Sequence, residues 1–350
     1  MPKKYNVAVV GVGAVGIEML RCLRQRAFPI NELHVFARSS RTIEVDGINY
    51  VVKTITPEGF EGIDIALFAG TEGEKGAAVT YASEAVKKGA IVIDNGADFR
   101  MDPKVPLVVP EVNVKDIKKH KGIIANPNCS TIQMVVALWP IYKKAGLKRV
   151  IVTTFQAASG AGRGAVDQLW SETEGIILRS QKSEVRSQKN LSSVLCPLSS
   201  DKALPQQIAF NIFPHIGSFT DYDYTNEEWK LVRESHKIMH DSKIKISGTT
   251  VRVPVRTGHS ESVYIETGKP ISPDKAREIL SKSPGVIVID DPKNNRYPMP
   301  KDVEGKDEVF VGRIRPDPFV KNGLWLWVVS DNLRKGAALN AVQIAEEVVK

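Results

Sequence analysis

The chain has 350 residues, of which 42% are hydrophobic and 25% charged, and it carries a formal net charge of +8 at pH 7. These fractions are typical of a globular protein, and the length predicts two domains, each with its own hydrophobic core. No apolar run reaches the roughly 18 residues that a membrane span requires, which predicts no membrane partner.

The positive charge is spread along the chain. Lysines stand beside acids, as in "EGEK" and "NEEWK", and no basic stripe alternates with aromatic residues. We therefore expect no nucleic-acid partner and a pocket for a small anion instead. The three cysteines, Cys22, Cys129 and Cys196, are widely spaced, and no signal peptide is evident. This pattern predicts a reducing compartment, the cytoplasm, and no disulfide framework.

The first 125 residues alternate apolar runs with amphipathic segments. In chain order they predict a strand "YNVAVVGVG", a helix "AVGIEMLRCLRQRA", strands "ELHVFAR" and "DIALFAG", a helix "AAVTYASEAVKKG" and a strand "AIVIDNG". The strand segments are continuously hydrophobic, as in strands that are covered on both faces. We therefore predict a Rossmann-type, doubly wound parallel sheet of the α/β class.

A glycine-rich turn connects the first strand to the first helix. Its sequence "GVGAVG" places Gly11, Gly13 and Gly16 in the pattern G-x-G-x-x-G, with Val12, Ala14 and Val15 between them. Such glycines allow a tight turn, a close approach of the backbone to a pyrophosphate and close packing of helix against strand. The helix N-terminus adds amide donors for the phosphates. The turn predicts a dinucleotide site.

The end of the second strand indicates which dinucleotide binds. An NAD enzyme usually has an acid there for the ribose 2′-hydroxyl. This chain instead has "FARSSR", which places Arg38, Ser39, Ser40 and Arg41 at the same point. Guanidinium and hydroxyl donors suit a 2′-phosphate, so we predict NADP(H), with use of NAD as the open alternative.

The hexapeptide "NPNCST" places Cys129 at the start of a predicted helix, whose apolar residues recur at helical spacing until Gly146. Ser130 or Thr131 is the expected N-cap. The thiol of Cys129 would then face the free amides and the positive end of the helix dipole, which favour the thiolate. A buried structural cysteine is the alternative explanation.

After this helix the pattern changes to strands, several with alternating hydrophobicity. They are "RVIVTTFQA", "TTVRVPVRT", "SVYIETG", "VIVIDD", "EVFVGRIR" and "LWLWVVSDN". An amphipathic helix lies among them, around "NEEWKLVRESHKIMHD", and "AALNAVQIAEEVV" predicts a last helix that docks on the first domain. We predict an α+β second domain with a mixed sheet. The expected ranges are 1–128 for the first domain, completed by the helix at 331–350, and 129–330 for the second.

Two further features concern partners. Residues 178–205 are polar and contain "RSQK" twice, so we expect a helical arm or mobile segment that makes subunit contacts. His236 and His240 stand four apart on a predicted helix, but no third ligand follows at a suitable spacing. We therefore predict that they are helix-surface residues and that the chain has no metal site.

A nicotinamide site beside a candidate thiolate indicates a thioester mechanism, in which the thiolate adds to a carbonyl and hydride passes to or from the nicotinamide. At this point the chain resembles the aspartate-β-semialdehyde dehydrogenase family over nearly its whole length. The resemblance rests on "GVGAVG", "DNGADFR" at 94–100, "NPNCST", "FQAASGAGRGA" from residue 155, "NEEWK", "VRVPVRTGHSES" and "SDNLRKGAALNAVQIAE".

The resemblance implies the fold and the reaction. The fold would be like that of glyceraldehyde-3-phosphate dehydrogenase, with an NADP-binding domain and a catalytic and dimerisation domain. The reaction would be the reversible conversion of L-4-aspartyl phosphate and NADPH to L-aspartate 4-semialdehyde, phosphate and NADP, on the route to lysine, threonine and methionine. A homodimer or homotetramer is implied.

The resemblance also implies roles for individual residues. Cys129 is similar to the nucleophile, His259 to the acid/base and Gln156 to the glutamine that orients the acyl intermediate. Arg252 resembles the arginine that binds the substrate carboxylate, Arg100 and Lys230 the cations of the phosphate site, and Glu227 a further substrate contact. The residues that resemble nicotinamide-side contacts are Ser159, Gly160 and Asn332.

Elementary geometry agrees with several of these roles. Alternation along a strand would place Arg252, Pro254 and Arg256 on one face, and Glu227 and Lys230 are three apart on a helix, so they share a face. The family usually has small residues after the third strand, whereas this chain has Glu72 and Glu74, so the nucleotide contacts of that loop are not predicted.

Three alternatives remain at this point. N-acetyl-γ-glutamyl-phosphate reductase has similar chemistry, but its cysteine typically stands in a Gly-Cys-Tyr-Pro context, and here the context is Asn-Cys-Ser-Thr. A glycolytic phosphorylating aldehyde dehydrogenase would have a Ser-Cys-Thr-Thr-Asn-Cys run, which is absent. A non-catalytic paralogue that serves as a binding module would be favoured by loss of Cys129, Gln156, Arg252 or His259, all of which are present.

Overall fold

The computed structural model describes residues 3–70, 76–185 and 203–350. Its helices are α1 (Ala14–Gln25), α2 (Ala77–Lys87), α3 (Pro110–Asn113), α4 (Cys129–Ala145), α5 (Arg163–Val185), α6 (Asn226–Met239), α7 (Pro273–Ser281), α8 (Pro300–Val303) and α9 (Leu339–Val349). The strands of a first sheet are β1 (Tyr5–Val10), β2 (Ile30–Ala37), β3 (Arg41–Val45), β4 (Ile48–Thr54), β5 (Ile65–Phe68), β6 (Ile91–Asp94) and β7 (Ile123–Ala125). Those of a second sheet are β8 (Leu147–Gln156), β9 (Lys245–Arg252), β10 (His259–Thr267), β11 (Val286–Val288), β12 (Val309–Pro316) and β13 (Gly323–Ser330).

The first sheet has the strand order β3-β4-β2-β1-β5-β6-β7, and only its β3–β4 pair is antiparallel. The α/β class and the parallel strands β1, β2, β5 and β6 are as predicted, whereas β7 was not predicted. The β3–β4 hairpin was not predicted, although Asp46 and Gly47 at its tip form a recognisable signal. Both have positive φ (51° and 77°), as a two-residue hairpin turn of type I′ requires.

Helices cover both faces of this sheet. Val7 and Val9 of β1 point into a core shared with α1 and α9, whereas Ala8 and Val10 point into a core shared with α2. Burial on both faces explains why the strand sequences are continuously hydrophobic. The last helix, α9, contributes Leu339 and several neighbours to the first of these cores.

The second sheet is mixed, in the order β11-β12-β13-β10-β8-β9. Its β8–β9 and β11–β12 pairs are parallel, and its other pairs are antiparallel. Side chains of α4, α6 and α7 form one core with its strands, and Leu107 and Ala125 from the first half of the chain join the same core. Nearly every residue from Ser130 to Leu138 is buried, so α4 lies at the centre of the molecule.

Three further expectations differ from the structure or fall outside it. The predicted strand "TTVRVPVRT" ends at Arg252, so Pro254 and Arg256 do not continue its alternation. The expected arm at 178–205 begins inside α5, and its part from 186 to 202 lies outside the described residues, as do Glu72 and Glu74. Of the helices in the described ranges, none combines the length and the apolar character needed to span a membrane.

Candidate active site

A cleft of about 1200 Å³ runs along the carboxyl ends of the parallel strands and reaches the start of α4 and the end of β9. Ligands of open α/β sheets bind at this edge. The predicted site residues that line it are Gly11, Val12, Gly13, Ala14, Val15, Arg38, Arg41, Arg100, Cys129, Gln156, Ser159, Gly160, Glu227, Lys230, Arg252 and Asn332. Gly16, Ser39, Ser40 and His259 are not among the lining residues.

The glycine-rich turn is shaped by close backbone contacts. Gly11 has φ +100°, a conformation that favours glycine, and a Cβ on Gly16 would stand 1.9 Å from the carbonyl oxygen of Gly11. Gly16 therefore lies beneath the turn and holds α1 against β1. A Cβ on Gly13 would meet no atom within 4 Å, so that glycine leaves open space at the start of α1. This cradle fits the pyrophosphate of a dinucleotide.

The turn after β2 carries the predicted 2′-phosphate residues, all four of them exposed. Nη1 of Arg41 donates to the carbonyl oxygen (3.2 Å) and to Oγ (3.1 Å) of Ser39. Oγ of Ser40 accepts a hydrogen bond from the backbone N–H of Thr54 (3.0 Å). The two serines thus shape the turn, while Arg38 and Arg41 present their guanidinium groups to the cleft.

The start of α4 differs from the prediction in its N-cap. The helix begins at Cys129 itself, and the N-cap is Asn128, whose Oδ1 accepts hydrogen bonds from the backbone N–H groups of Ser130 (3.0 Å) and Thr131 (3.3 Å). Asparagine caps helices as well as serine does. Since Asn128 satisfies these two amides, they are not free to bind the Cys129 thiolate as expected.

The predicted preference of Cys129 for the thiolate is also wrong. Burial and the nearby carboxylate of Glu227 raise the pKa of the thiol to about 12, although Arg100, Arg252 and Lys230 act in the opposite direction. The side chain remains partly exposed to the cleft. Cys129 is therefore a protonated thiol at neutral pH, and its activation depends on the groups that enter the site.

His259, at the start of β10, is fully buried behind the cleft. Its Nδ1 accepts a hydrogen bond from the backbone N–H of Ala157 (3.0 Å), and a Cβ on Gly160 would stand 3.0 Å from Nε2. Burial and the positive charge of Arg252 lower the pKa of His259 to about 3, so the ring is neutral. Because Nδ1 accepts a hydrogen bond, the single ring proton is on Nε2, which points toward Gly160 at the wall of the cleft.

Arg252 ends β9 and is buried beside His259. Its Nη1 donates to the carbonyl oxygen of Ala157 (2.7 Å), while Nε has no hydrogen-bond partner within the described parts of the chain. Arg256 lies beyond the strand, is exposed and forms an ion pair with Glu304, so it does not share the face of Arg252 as expected. One cation of the predicted strand therefore faces the cleft.

Helix α6 presents Glu227 to the other side of Cys129. Oε1 of Glu227 accepts hydrogen bonds from Nδ2 of Asn128 (2.8 Å) and Nε2 of Gln156 (3.2 Å), and Oε2 accepts one from Nζ of Lys230 (3.2 Å). Burial disfavours the charged carboxylate, but Lys230 and the two amides together lower the pKa of Glu227 below its usual value. Glu227 is thus an anion at neutral pH, and it joins α6, α4 and β8.

Arg100 lies in the loop after β6 and is buried. Its Nε donates to the carbonyl oxygen of Asn126 (2.9 Å), Nη2 to that of Asn95 (2.9 Å), and Nη1 to Oε1 of Glu234 (3.1 Å). Three contacts from different elements therefore hold the guanidinium group in one place at the edge of the cleft.

The predicted nicotinamide-side residues form one small network. Nδ2 of Asn332 donates to Oγ of Ser159 (3.0 Å), and Oδ1 of Asn332 accepts a hydrogen bond from the backbone N–H of Gly258 (2.9 Å). Gly160 lies between the cleft and the imidazole ring of His259. A Cβ at this position would touch the ring, so a glycine is needed for the close approach. These residues connect the two halves of the cleft.

Several residues of the site were not predicted. Residues 334–338 form a π-helical turn that places Gly336 against Cys129, so that a Cβ on Gly336 would stand 2.8 Å from Cβ of Cys129. In the same turn the fully buried Lys335 donates to both carboxylate oxygens of Glu111 (2.8 and 2.7 Å). Neighbouring elements thus fix the turn by a buried ion pair.

The two histidines of α6 have separate partners. Nε2 of His236 lies 2.8 Å from the carbonyl oxygen of Ile244, and His240, just past the helix, pairs with Asp116 (2.6 Å). Within residues 3–70, 76–185 and 203–350, no group of three or more His, Cys, Asp or Glu side chains is placed to hold a metal ion.

Comparison with known proteins gives matches along the whole chain. A family model described as "Semialdehyde dehydrogenase, NAD binding domain" matches residues 6–120, and one described as "Semialdehyde dehydrogenase, dimerisation domain" matches residues 138–335. Together these two ranges cover most of the chain, and the first contains the glycine-rich turn.

Two relatives and one solved structure carry the name aspartate-semialdehyde dehydrogenase. The aspartate-semialdehyde dehydrogenase of Aquifex aeolicus is 53% identical over 99% of this chain and 98% of its own length, and that of Bacillus subtilis is 49% identical over 100% and 99%. The crystal structure of aspartate semialdehyde dehydrogenase II from Vibrio cholerae, complexed with ASA, is 41% identical, has a TM-score of 0.88 and covers 99% of this chain and 98% of that chain. The chain belongs to the aspartate-semialdehyde dehydrogenase family.

Proposed function

We propose that the protein catalyses the reversible reductive dephosphorylation of L-4-aspartyl phosphate to L-aspartate 4-semialdehyde with NADPH, on the route to lysine, threonine and methionine. The observation that carries this proposal is the cleft itself. It joins the glycine-rich turn to Cys129, and around the thiol it gathers three cations, Arg100, Lys230 and Arg252. A substrate with one carboxylate and one phosphate suits this charge distribution.

In the biosynthetic direction, the sulfur of Cys129 bonds to the carbonyl carbon of the acyl phosphate and forms a thioester, while the C–O bond to the phosphate breaks. The thiol proton leaves with the phosphate, which departs past Arg100 and Lys230. Arg252 binds the substrate carboxylate, and Gln156 orients the acyl group. NADPH held at the glycine-rich turn would supply the hydride, and with a proton from solvent the thioester carbonyl would become the hydroxyl of a thiohemiacetal. The thiohemiacetal then breaks down to the free aldehyde and the Cys129 thiol.

His259 is assigned the acid/base role in these steps. Its neutral ring is held by Ala157 so that Nε2–H is the donor next to Gly160. A donor there supports an oxygen that gains negative charge when sulfur adds to the carbonyl. The role of His259 is thereby limited to that of a donor, because Nδ1 already accepts the Ala157 N–H and is not free to take up a proton.

The cofactor preference and the assembly belong to the same proposal. The guanidinium groups of Arg38 and Arg41 and the absence of an acid at this turn support NADP over NAD. The match to a dimerisation domain supports assembly of the chain into a homodimer or a homotetramer. A biosynthetic enzyme with widely spaced cysteines is expected in the cytoplasm.

The test is a spectrophotometric assay of NADPH formation from aspartate semialdehyde, phosphate and NADP, run beside Cys129→Ala. We expect phosphate-dependent turnover in the wild type, none in the variant, and nearly unchanged NADPH binding by the variant. Activity on N-acetylglutamate semialdehyde alone would instead assign the sister reductase, and NADPH binding without turnover of either aldehyde would assign a binding module. Loss of both turnover and NADPH binding in the variant would mean that the substitution disrupts the fold.

A further inference from the structure

Glu234 is a buried carboxylate of α6 that has no part in the proposed reaction. Its exposed fraction is 1%. It follows Lys230 by four positions and Glu227 by seven, so all three side chains lie on one face of the helix. Its Oε1 accepts a hydrogen bond from Nη1 of Arg100 (3.1 Å), and its Oε2 accepts one from the backbone N–H of Asn128 (2.7 Å).

These two contacts join separate parts of the site. Arg100 belongs to the proposed phosphate subsite, whereas Asn128 is the N-cap of the helix that begins at Cys129. One carboxylate therefore fixes both the cation that receives the leaving phosphate and the residue next to the nucleophile. The distance between Cys129 and the phosphate subsite decides whether the carbonyl carbon of a bound acyl phosphate lies within reach of the sulfur.

The attachment of α6 to this region does not itself require Glu234. Lys237, one turn further along the same face, donates from Nζ to the backbone carbonyl oxygens of Arg100 (2.7 Å), Asp102 (2.8 Å) and Val105 (2.8 Å). Lys237 thus holds the loop, while Glu234 contacts the guanidinium group of Arg100. The two residues have separable tasks.

We propose that Glu234 is a positioning residue, which orients Arg100 for phosphate and sets its distance from Cys129. The proposal relies on the proposed function only for the identity of the anion. Glu234→Gln is the informative change because the amide keeps one acceptor but replaces the other with a donor. Either Arg100 or the Asn128 N–H then faces a donor, and one contact is lost whichever way the amide turns.

We expect Glu234→Gln to raise the KM for phosphate by about tenfold or more, as the loss of a hydrogen bond to a charged group implies. The KM for NADP should stay within about twofold. Glu228→Gln is the matched control: Glu228 is on the same helix, is 8% exposed, and accepts from the backbone N–H groups of Thr225 (2.8 Å) and Thr250 (3.0 Å). It should lower the melting temperature without changing the KM for phosphate.

A double variant tests whether Glu234 acts through Arg100. In an Arg100→Ala background, Glu234→Gln should change the KM for phosphate less than twofold, because the group that it orients is gone. The proposal would be overturned by equal effects of Glu234→Gln in both backgrounds, or by an unchanged KM for phosphate in Glu234→Gln alone. Glu234 would then have a structural role only, as the ion-pair partner of Arg100. If Glu234→Gln does not fold, Glu234→Asp is measured in the same way and should show a smaller rise.

A measurement that needs no turnover separates this proposal from the proposed function. Inorganic phosphate is titrated while the melting temperature is recorded, since a ligand of the native state stabilises it. We expect Glu234→Gln to reach half-maximal stabilisation at a phosphate concentration about tenfold or more above that needed by the wild type or Glu228→Gln. An inactive wild type that still shows this pattern would overturn the proposed function alone. Equal phosphate responses in all three proteins would overturn the role of Glu234.

Discussion

The two halves of the cleft are formed by different chemical groups. The dinucleotide half consists of backbone, and its shape comes from Gly11 at φ +100° and from Gly16, whose missing Cβ lets α1 approach β1. The substrate half consists of buried charged side chains that hold one another, with Glu227 and Glu234 as the acceptors. A backbone site tolerates changes of side chain but not of volume, whereas a charged network tolerates changes of hydrogen-bond partner less than changes of volume.

The largest effect that would sharpen this contrast is expected in the glycine-rich turn. Gly16→Ala places a Cβ 1.9 Å from the Gly11 carbonyl oxygen, so backbone must move. We expect a destabilisation of about 1–3 kcal/mol or more together with loss of measurable NADPH binding. A Cβ on Gly13 meets no atom of the protein within 4 Å, so Gly13→Ala should leave the melting temperature unchanged and weaken NADPH binding by filling the space for the pyrophosphate. Equal melting temperatures for the two variants would contradict a backbone-built site; fluorescence titration and thermal denaturation are the measurements.

In the substrate half, Arg252→Lys keeps the charge and removes the planar fork. Lysine cannot contact Ala157 and a substrate carboxylate together in the way that Nη1 and Nε of Arg252 can. We expect the KM for aspartate semialdehyde to rise about tenfold, with a smaller change in kcat. Steady-state kinetics with varied aldehyde provide the measurement. An unchanged KM would remove Arg252 from the carboxylate contact.

Burial and, after it, the charge of Glu227 raise the pKa of the Cys129 thiol. Because the pKa of Cys129 is about 12, the thiolate fraction rises with pH through the whole neutral and alkaline range. Glu227→Gln removes the negative charge that raises this pKa, so alkylation of Cys129 by iodoacetamide at pH 8 should become about threefold to tenfold faster. Mass spectrometry of the labelled Cys129 peptide measures the rate, with Glu228→Gln as the control. Slower labelling in Glu227→Gln would show that the carboxylate assists thiol ionisation.

The smallest effect is expected at the exposed turn after β2. Arg38→Ala should raise the KM for NADP about threefold to fivefold and leave that for NAD nearly unchanged, because an exposed charge contact contributes little. The ratio of the two KM values is the measurement. An equal rise in the KM for NADP and for NAD would indicate that Arg38 contacts a part of the nucleotide that both cofactors have. Any preference for the 2′-phosphate would then depend on Arg41.

The same contrast explains what the sequence predicts and what it does not. The glycine pattern and the continuously hydrophobic strands are local signals, and they predict four strands of the first sheet, β1, β2, β5 and β6, but neither the β3–β4 hairpin nor β7. The predicted boundaries at 128 and 330 remain predictions; α4 shares its core with both halves of the chain. Short strands such as β7, with three residues, carry too little pattern to be recognised.

The charged network depends on contacts between distant segments. A glutamate four positions after Lys230 resembles any surface residue of an amphipathic helix, and nothing nearby in sequence indicates that Glu234 is buried. The pKa of Cys129 was predicted in the wrong direction for the same reason, since burial and Glu227 outweigh the helix start. Motifs and the family resemblance identify the candidate site residues, but only the fold shows which of these residues form hydrogen bonds and ion pairs with one another.

The burial of α4 has a consequence for how the enzyme loses activity. Its amides from Ile132 to Leu138 lie in the core that both halves of the chain share, so their hydrogen exchange is expected to require global rather than local opening. Cys129 is attached to the first turn of that helix. The nucleophile therefore has no partly unfolded state of its own, and on heating the decay of activity and the exchange of the α4 amides should follow one cooperative transition.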